Sequence, residues 1–212
     1  MTEATAPGGL RERKKARTRA AIREHALRLF REHGFSATTV EQIAAAAEVS
    51  PSTFFRYFPT KEDLVLQDDM DSRLIAALER QPPGLPPVPA IRAAARETWD
   101  SFTDAEWDLL RQSTRLMVTE PDIRARAMNE FARSIDLIAG AIARRSGHDP
   151  GDLPVRALAG AVIGVIMSVT MPQHVLEEAQ AAGAGAVDLL KGPESARRID
   201  EALALLEAGL PL

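Results

Sequence analysis

Apolar side chains recur three and four residues apart along most of this chain, and the two-residue alternation of a half-buried strand is missing. The pattern predicts helices throughout. Ile22, Ala26, Leu29 and Phe30 form one stripe, giving a first helix from about Arg11 to His33. Gly34 follows as a left-handed stop, with Phe35 placed to close the cap by an apolar contact. A second, short helix starts at Thr39, with Gln42 three residues on as the other half of a capping box, and runs through Val40, Ile43, Ala44 and Ala47 to about Glu48. A third begins at Ser50 as N-cap and Pro51 at the first helical position, pairs Phe54 with Phe58, and ends at Pro59. Thr60 is then expected to cap a fourth helix with Glu62 and Asp63 in its first turn, continuing through Leu64, Leu66, Met70 and Leu74 to about Arg80.

The run Pro82-Pro83-Gly84-Leu85-Pro86-Pro87-Val88-Pro89 cannot be a helix interior, because proline lacks the amide and clashes with the previous turn. It reads as a stiff linker. Beyond it, helices are expected near 88–102, 104–119, 121–146, 154–182 and 194–208, with Asp104 and Ser195 as caps and a kink at Pro172. The fold class is therefore all-α. The expected division is a disordered tail over 1–10, a three-helix domain over 11–59 and a helical domain over 60–212.

Charge adds the first functional information. The net charge is −4, but from Leu10 to Arg31 nine basic residues face only Glu12 and Glu24. From residue 67 onward there are 15 basic and 22 acidic residues. A basic head on an acidic body is what a chain shows when only the head meets phosphate. The chain has no cysteine, which removes disulfides and thiolate metal sites. No secretory leader is visible, and the apolar stretch from Leu158 to Met171 is shorter than a membrane span, so a cytoplasmic protein without a membrane partner is expected. His25, His33, His148 and His174 show no metal spacing, and no glycine-rich phosphate loop follows a strand. No catalytic group, metal or cofactor is expected, and the chain does not read as an enzyme. A helical protein-interaction or lipid-carrier module is the rival outside catalysis.

The two short helices joined by a tight turn are the spacing of a helix-turn-helix. The major groove admits one helix, and a second braces it across the backbone. Ile43, Ala44 and Ala47 suit the brace, while Ser50, Ser52 and Thr53 offer short polar groups at the entering turn. Ala26-Leu27-Arg28-Leu29-Phe30, Gly34-Phe35, Thr38-Thr39-Val40, Ile43-Ala44, Ala47, Val49-Ser50, Thr53-Phe54, Tyr57-Phe58 and Lys61-Glu62-Asp63-Leu64 together resemble the TetR family of bacterial regulators, over about residues 13–66.

That resemblance implies a dimeric, ligand-responsive repressor on a palindromic double-stranded operator. It implies that Pro51, Ser52 and Thr53 face bases or nearby phosphates, that Phe55 and Tyr57 pack on the sugar-phosphate backbone, and that Lys61 contacts phosphate. Thr39 would hold phosphate through its hydroxyl. Ser50 joins this set from the entering turn. Arg56 can reach phosphate or a guanine edge, and Glu41 or Gln42 a base. The family often carries an aromatic hydroxyl where this chain has Phe55. Arg17, with Arg13, Lys14 and Arg19, forms a basic arm that gives salt-sensitive affinity.

The remaining two-thirds is expected to sense a small molecule and to dimerise. Gly160, Gly164 and Ser168 lie on one stripe that fits either tight packing within the chain or a dimer seam; the resemblance favours the seam, with 158–180 and 194–208 in a four-helix bundle. Met70, Trp99, Phe102, Trp107, Met117, Phe131, Met167 and Met171 are the candidates for an effector cavity, since aromatic and methionine side chains make adaptable apolar walls. Thr53-Phe54-Phe55-Arg56-Tyr57-Phe58-Pro59-Thr60-Lys61 and the nearby leucine–proline linker are similar to an acyl-coenzyme-A-responsive, mycofactocin-type branch of the family, which implies a small apolar or acyl-type effector. Such an effector would lever the helix from Thr60 and alter the spacing of two reading helices that must sit roughly 34–36 Å apart.

Overall fold

A computed structural model describes residues 9–66, 70–170 and 193–210. All regular structure among them is helical. The chain divides into two compact units, Met1–Val65 and Leu66–Leu212.

The first unit holds α1 (Leu10–His33), α2 (Val40–Ala46), α3 (Pro51–Tyr57) and most of α4 (Asp63–Leu66). α1 packs on α2, and α2 on α3. Ile22, Ala26, Phe30, Ile43, Phe54, Phe58 and Leu64 are all buried. Each buried phenylalanine contributes about 1.5–3 kcal/mol relative to exposure. The stop after α1 is Gly34 at φ +86°, with an extended ψ of 154° rather than the left-handed value expected. Phe35 packs edge-on against Phe30, ring centroids 4.9 Å apart, which closes the cap as anticipated. The unit ends at Val65 rather than near residue 59, because Asp63, Leu64 and Val65 are buried and the Leu64 carbonyl accepts from Arg23 Nε at 3.1 Å.

The second unit holds α5 (Met70–Arg80), α6 (Pro87–Asp100), α7 (Asp104–Thr119), α8 (Pro121–Ser146), α9 (Leu153–Thr170) and α10 (Pro193–Glu207). α5 packs against α6 and α8, α8 against α7 and α9, and α10 closes on α6 and α9. Leu78, Ala90, Ile91, Ala94, Ile138, Ile142, Val155, Ala159, Val162 and Leu203 form its core. Ala90 and Ala94 are small, so the backbone of α6 can approach its neighbours closely.

Several local expectations change. Thr60 does not cap through its hydroxyl, which is buried without a partner; its amide instead donates to Asp63 Oδ2 at 2.9 Å. Thr103, not Asp104, caps α7, and Glu106 completes a capping box. Ser195 is a buried residue inside α10, which starts two residues earlier. Pro87 and Pro89 lie in the first turn of α6, where amides have no intrahelical acceptor and a proline is tolerated. Residues 67–69 and the expected stretch 171–182, with Met171 and Pro172, lie outside the described residues.

The connection between α5 and α6 is held by one side chain from α8. Arg145 donates from Nη1 to the Gln81 carbonyl at 3.0 Å and from Nη2 to the carbonyls of Pro82 and Leu85, the latter at 3.1 Å.

A charged group pins α10 to α6. Asp200 accepts from Arg96 at 2.7 Å and from Arg92 Nε at 3.2 Å, and Arg92 also donates to Glu207. Burial works against the ionised carboxylate of Asp200, but the hydrogen bonds from Arg96 and Arg92 outweigh it and hold the group below its ordinary value. A carboxyl whose folded value is depressed stabilises fully above its unfolded value and loses that contribution as pH falls through the folded one. Wild type should therefore lose more stability than Asp200→Asn when pH drops from about 6 to about 3, read as the shift in urea midpoint.

Candidate nucleic-acid interface

The geometry of α2 and α3 follows from their caps. Thr39 Oγ1 accepts from the Gln42 amide at 3.2 Å, and Gln42 Oε1 accepts from the Thr39 amide at 2.8 Å. The expected capping box is present, so the Gln42 side-chain oxygen already serves the start of α2. Ser50 caps α3 by accepting from the Thr53 amide at 3.1 Å. Its hydroxyl also lies 3.0 Å from Thr53 Oγ1 and 2.9 Å from Ser52 Oγ. Three hydroxyls are thus gathered at the start of α3, with Ser50 and Ser52 exposed and Thr53 half-buried.

The turn between the helices carries Glu48 at φ +54°, in the left-handed region. A side chain there costs on the order of 1 kcal/mol. Glu48→Gly should therefore raise stability by about 0.5–1 kcal/mol, seen as a higher melting temperature.

The aromatic pattern of α3 sorts inward from outward. Phe54 and Phe58 are fully buried and tilt against each other at 6.0 Å between centroids. Phe55 is 51% exposed and meets Phe54 edge-on at 5.4 Å. Tyr57 is half-buried, with the Arg56 guanidinium 5.4 Å from its ring centroid. Pro51 and Arg56 are exposed, as are Thr39 and Glu41. One continuous surface therefore presents hydroxyls, an open phenyl ring, a phenol and a guanidinium.

Arg11, Arg13, Lys14, Lys15 and Arg17 are exposed on the first turns of α1, so the basic arm is helical where it is described. Arg19 belongs to the fold, its guanidinium 5.1 Å from the Phe58 centroid. Lys61 is half-buried and already bonded within the fold. Its ammonium donates to the Phe35 carbonyl at 2.7 Å and the Thr38 carbonyl at 3.0 Å, and lies 4.2 Å from the Phe35 centroid. It ties the turn before α2 to the turn after α3, a role that residues 23 and 26 positions apart in sequence do not announce.

In the second unit, three of the expected effector residues come together. Trp99, Phe102 and Trp107 line one cleft of about 450 Å³ where the end of α6 and the start of α7 face α10. Phe102 and Trp107 are in contact, centroids 5.0 Å apart. Met70, Met117, Phe131 and Met167 do not line it; Phe131 and Met167 pack on the core. The cleft also takes Arg96, Asp100, Asp104 and Arg197, which residue type alone did not single out.

Among the described residues the glycines of α9 have no close neighbour: a β-carbon at Gly160 or Gly164 meets nothing within 4 Å, and Gly164 and Ser168 are exposed. α9 is 18 residues long and apolar enough to cross a membrane by length and composition, with 22% of it buried. The helix that carries the stretch from Leu158 begins earlier, at Leu153, and includes Arg156, so a single helix of this kind is weak evidence of a span.

Among the described residues no group of histidine and carboxylate side chains could hold a metal ion. Residues 22–67 match the family described as bacterial regulatory proteins, tetR family, and residues 85–211 match the MftR C-terminal domain. The HTH-type transcriptional regulator TcmR of Streptomyces glaucescens is 38% identical over 151 residues, covering 68% of this chain and 67% of that protein. MftR of Mycobacterium tuberculosis, named for transcriptional regulation of mycofactocin biosynthesis, is 29% identical over 158 residues, covering 74% of this chain and 79% of its own length. A crystal structure named as a TetR-family regulator from Syntrophomonas wolfei shares the fold with a TM-score of 0.59 at 19% identity, over 93% of this chain and 98% of that one. These relatives are regulators of transcription rather than enzymes, and the chain belongs to the TetR family of DNA-binding transcriptional regulators.

Proposed function

We propose that two copies of this chain bind a palindromic operator as a repressor and release it when a small, largely apolar effector binds. The observation that carries this reading is the outward face of α3: Ser50, Pro51, Ser52, Phe55 and Arg56 lie exposed on a helix anchored by the fully buried Phe54 and Phe58. The hydroxyls of Ser52 and Thr53 and the guanidinium of Arg56 are sized for base edges and phosphates. Ser50 contributes its cap, Pro51 the rigid entry, and Phe55 and Tyr57 flat surfaces for the sugar-phosphate backbone. Thr39 keeps its hydroxyl proton for a phosphate oxygen. Lys61 has three N–H donors and spends two on carbonyls, which leaves one to reach phosphate. Arg17 and the other exposed cations of α1 add a sequence-independent, salt-dependent term.

Dimerisation is supported by one face of α9 that the described residues leave open, carrying the glycine stripe of Gly160 and Gly164 with Ser168 and the exposed Leu153. Symmetric pairing of that face would cover it and would give the pair the two-fold symmetry that a palindromic operator shares. The effector must bind the operator-free state better than the bound one, since only differential affinity shifts such an equilibrium.

Selection of duplexes from a random pool by the purified protein tests the reading. A palindromic site is expected, with affinity falling by about 0.9 in its logarithm per phosphate contacted for each decade of salt. Failure to retain any duplex at low salt would remove it.

A further inference from the structure

We propose that the cleft between the α6–α7 turn and α10 is the seat of the effector, and that it selects an apolar organic cation. This rests on the effector-responsive reading above and narrows its ligand. The apolar wall comes from Trp99, Phe102 and Trp107. Ring faces carry negative potential, so aromatic walls favour a cation over a neutral or anionic body of the same shape. Phe102 already shows this preference: the Arg73 guanidinium lies 5.0 Å from its centroid while pairing with Glu106.

The charges around the wall point the same way. Asp100, Asp104 and Asp200 line the cleft against Arg96 and Arg197, which leaves one negative charge in excess. Arg96 is held by Asp200 at 2.7 Å, and Asp200 is shared with Arg92. Among the described residues of the lining, the groups left to answer a ligand are therefore the carboxylates of Asp100 and Asp104, opposed by Arg197. A volume of about 450 Å³ falls within the range of small-molecule sites. Aromatic rings on one side and two carboxylates beside them suit a quaternary ammonium, a phosphonium or a protonated amine on a bulky apolar body.

The chain has two tryptophans, and both line this cleft. Their emission therefore reports on its occupancy. Tetraphenylphosphonium and tetraphenylborate share one shape and carry opposite charges, so titrating the full-length protein with each isolates the sign of the preference. Tetraphenylphosphonium is expected to bind about tenfold more tightly. Asp100→Asn combined with Asp104→Asn should erase most of that difference. Arg197→Gln should strengthen phosphonium binding several-fold, a gain that a damaged fold cannot produce. Equal binding of the two probes, a preference for the borate, or no gain in Arg197→Gln would overturn the proposal.

Operator binding is measured on the same preparation. Phosphonium is expected to release the duplex, and occupancy of the cleft without release would overturn its role as the effector seat. A protein that binds no duplex, yet keeps the phosphonium preference, would instead count against the regulator reading alone.

Discussion

Ser52→Glu should lower affinity for an operator duplex by about a hundredfold or more while leaving the melting temperature unchanged or slightly higher. The two halves of this result have separate causes. Ser52 is exposed at the second position of α3, where the helix end is positive and a carboxylate stabilises by about 0.3–1 kcal/mol. The capping bond from the Thr53 amide to Ser50 remains, so the fold keeps its support. On a duplex, the same carboxylate would be driven toward phosphates, and like charges forced together across an interface cost several kcal/mol. Ser52→Ala removes a hydroxyl without adding charge and should weaken binding only about threefold to tenfold. Fluorescence anisotropy of a labelled duplex gives the affinity, and circular dichroism gives the melting curve. If Ser52→Glu bound as wild type does, α3 would not be the element that meets DNA.

Arg145→Ala should destabilise the chain by about 2–4 kcal/mol, a large share of the stability of an ordinary domain. The guanidinium serves the carbonyls of Gln81, Pro82 and Leu85 at once, across a connection rich in proline that has few amides of its own to answer them. Removal leaves the Gln81 and Leu85 carbonyls to find water in a partly covered site, while the Pro82 carbonyl keeps the Leu85 amide at 3.0 Å. Arg145→Lys should recover little, because an ammonium is a point donor and cannot span three acceptors spread over five residues. The buried Nε of Arg145 has no partner, so the staple is strong but not perfect. Urea denaturation followed by tryptophan emission reports on this unit directly, since both tryptophans lie in it. A shift of less than about 1 kcal/mol would show that the connection holds its shape without the arginine.

What could be read from residue order was the part fixed by neighbours in sequence. The expected spans 104–119 and 121–146 coincide with α7 and α8 because Pro121 and Gly147 punctuate them locally. The helix-turn-helix was legible for the same reason, since the Thr39–Gln42 box and the Ser50–Pro51 start act within one turn. Small misreadings were of the same local kind: Thr103 rather than Asp104 supplies the cap, and Pro87 opens α6 one residue before the expected start. What could not be read was set by partners far along the chain. Lys61 has the composition of a phosphate ligand but spends two donors on the turn before α2. Arg145 looks like any cation near a helix C-terminus until its three carbonyls are placed. Trp99, Phe102 and Trp107 were chosen by type together with Met117, Phe131 and Met167, and only packing separates the cleft from the core.

α9 has a further consequence. One face of the oiliest segment, with Leu153, Gly164 and Ser168, is exposed in a lone copy among the described residues, and the folded state then gains whatever free energy is released when that face is covered. Under the two-copy reading, thermal endurance becomes a property of the solution as much as of the polypeptide. A dilute sample should unfold at a lower temperature than a concentrated one, and a cell making few copies would keep a smaller fraction of them intact.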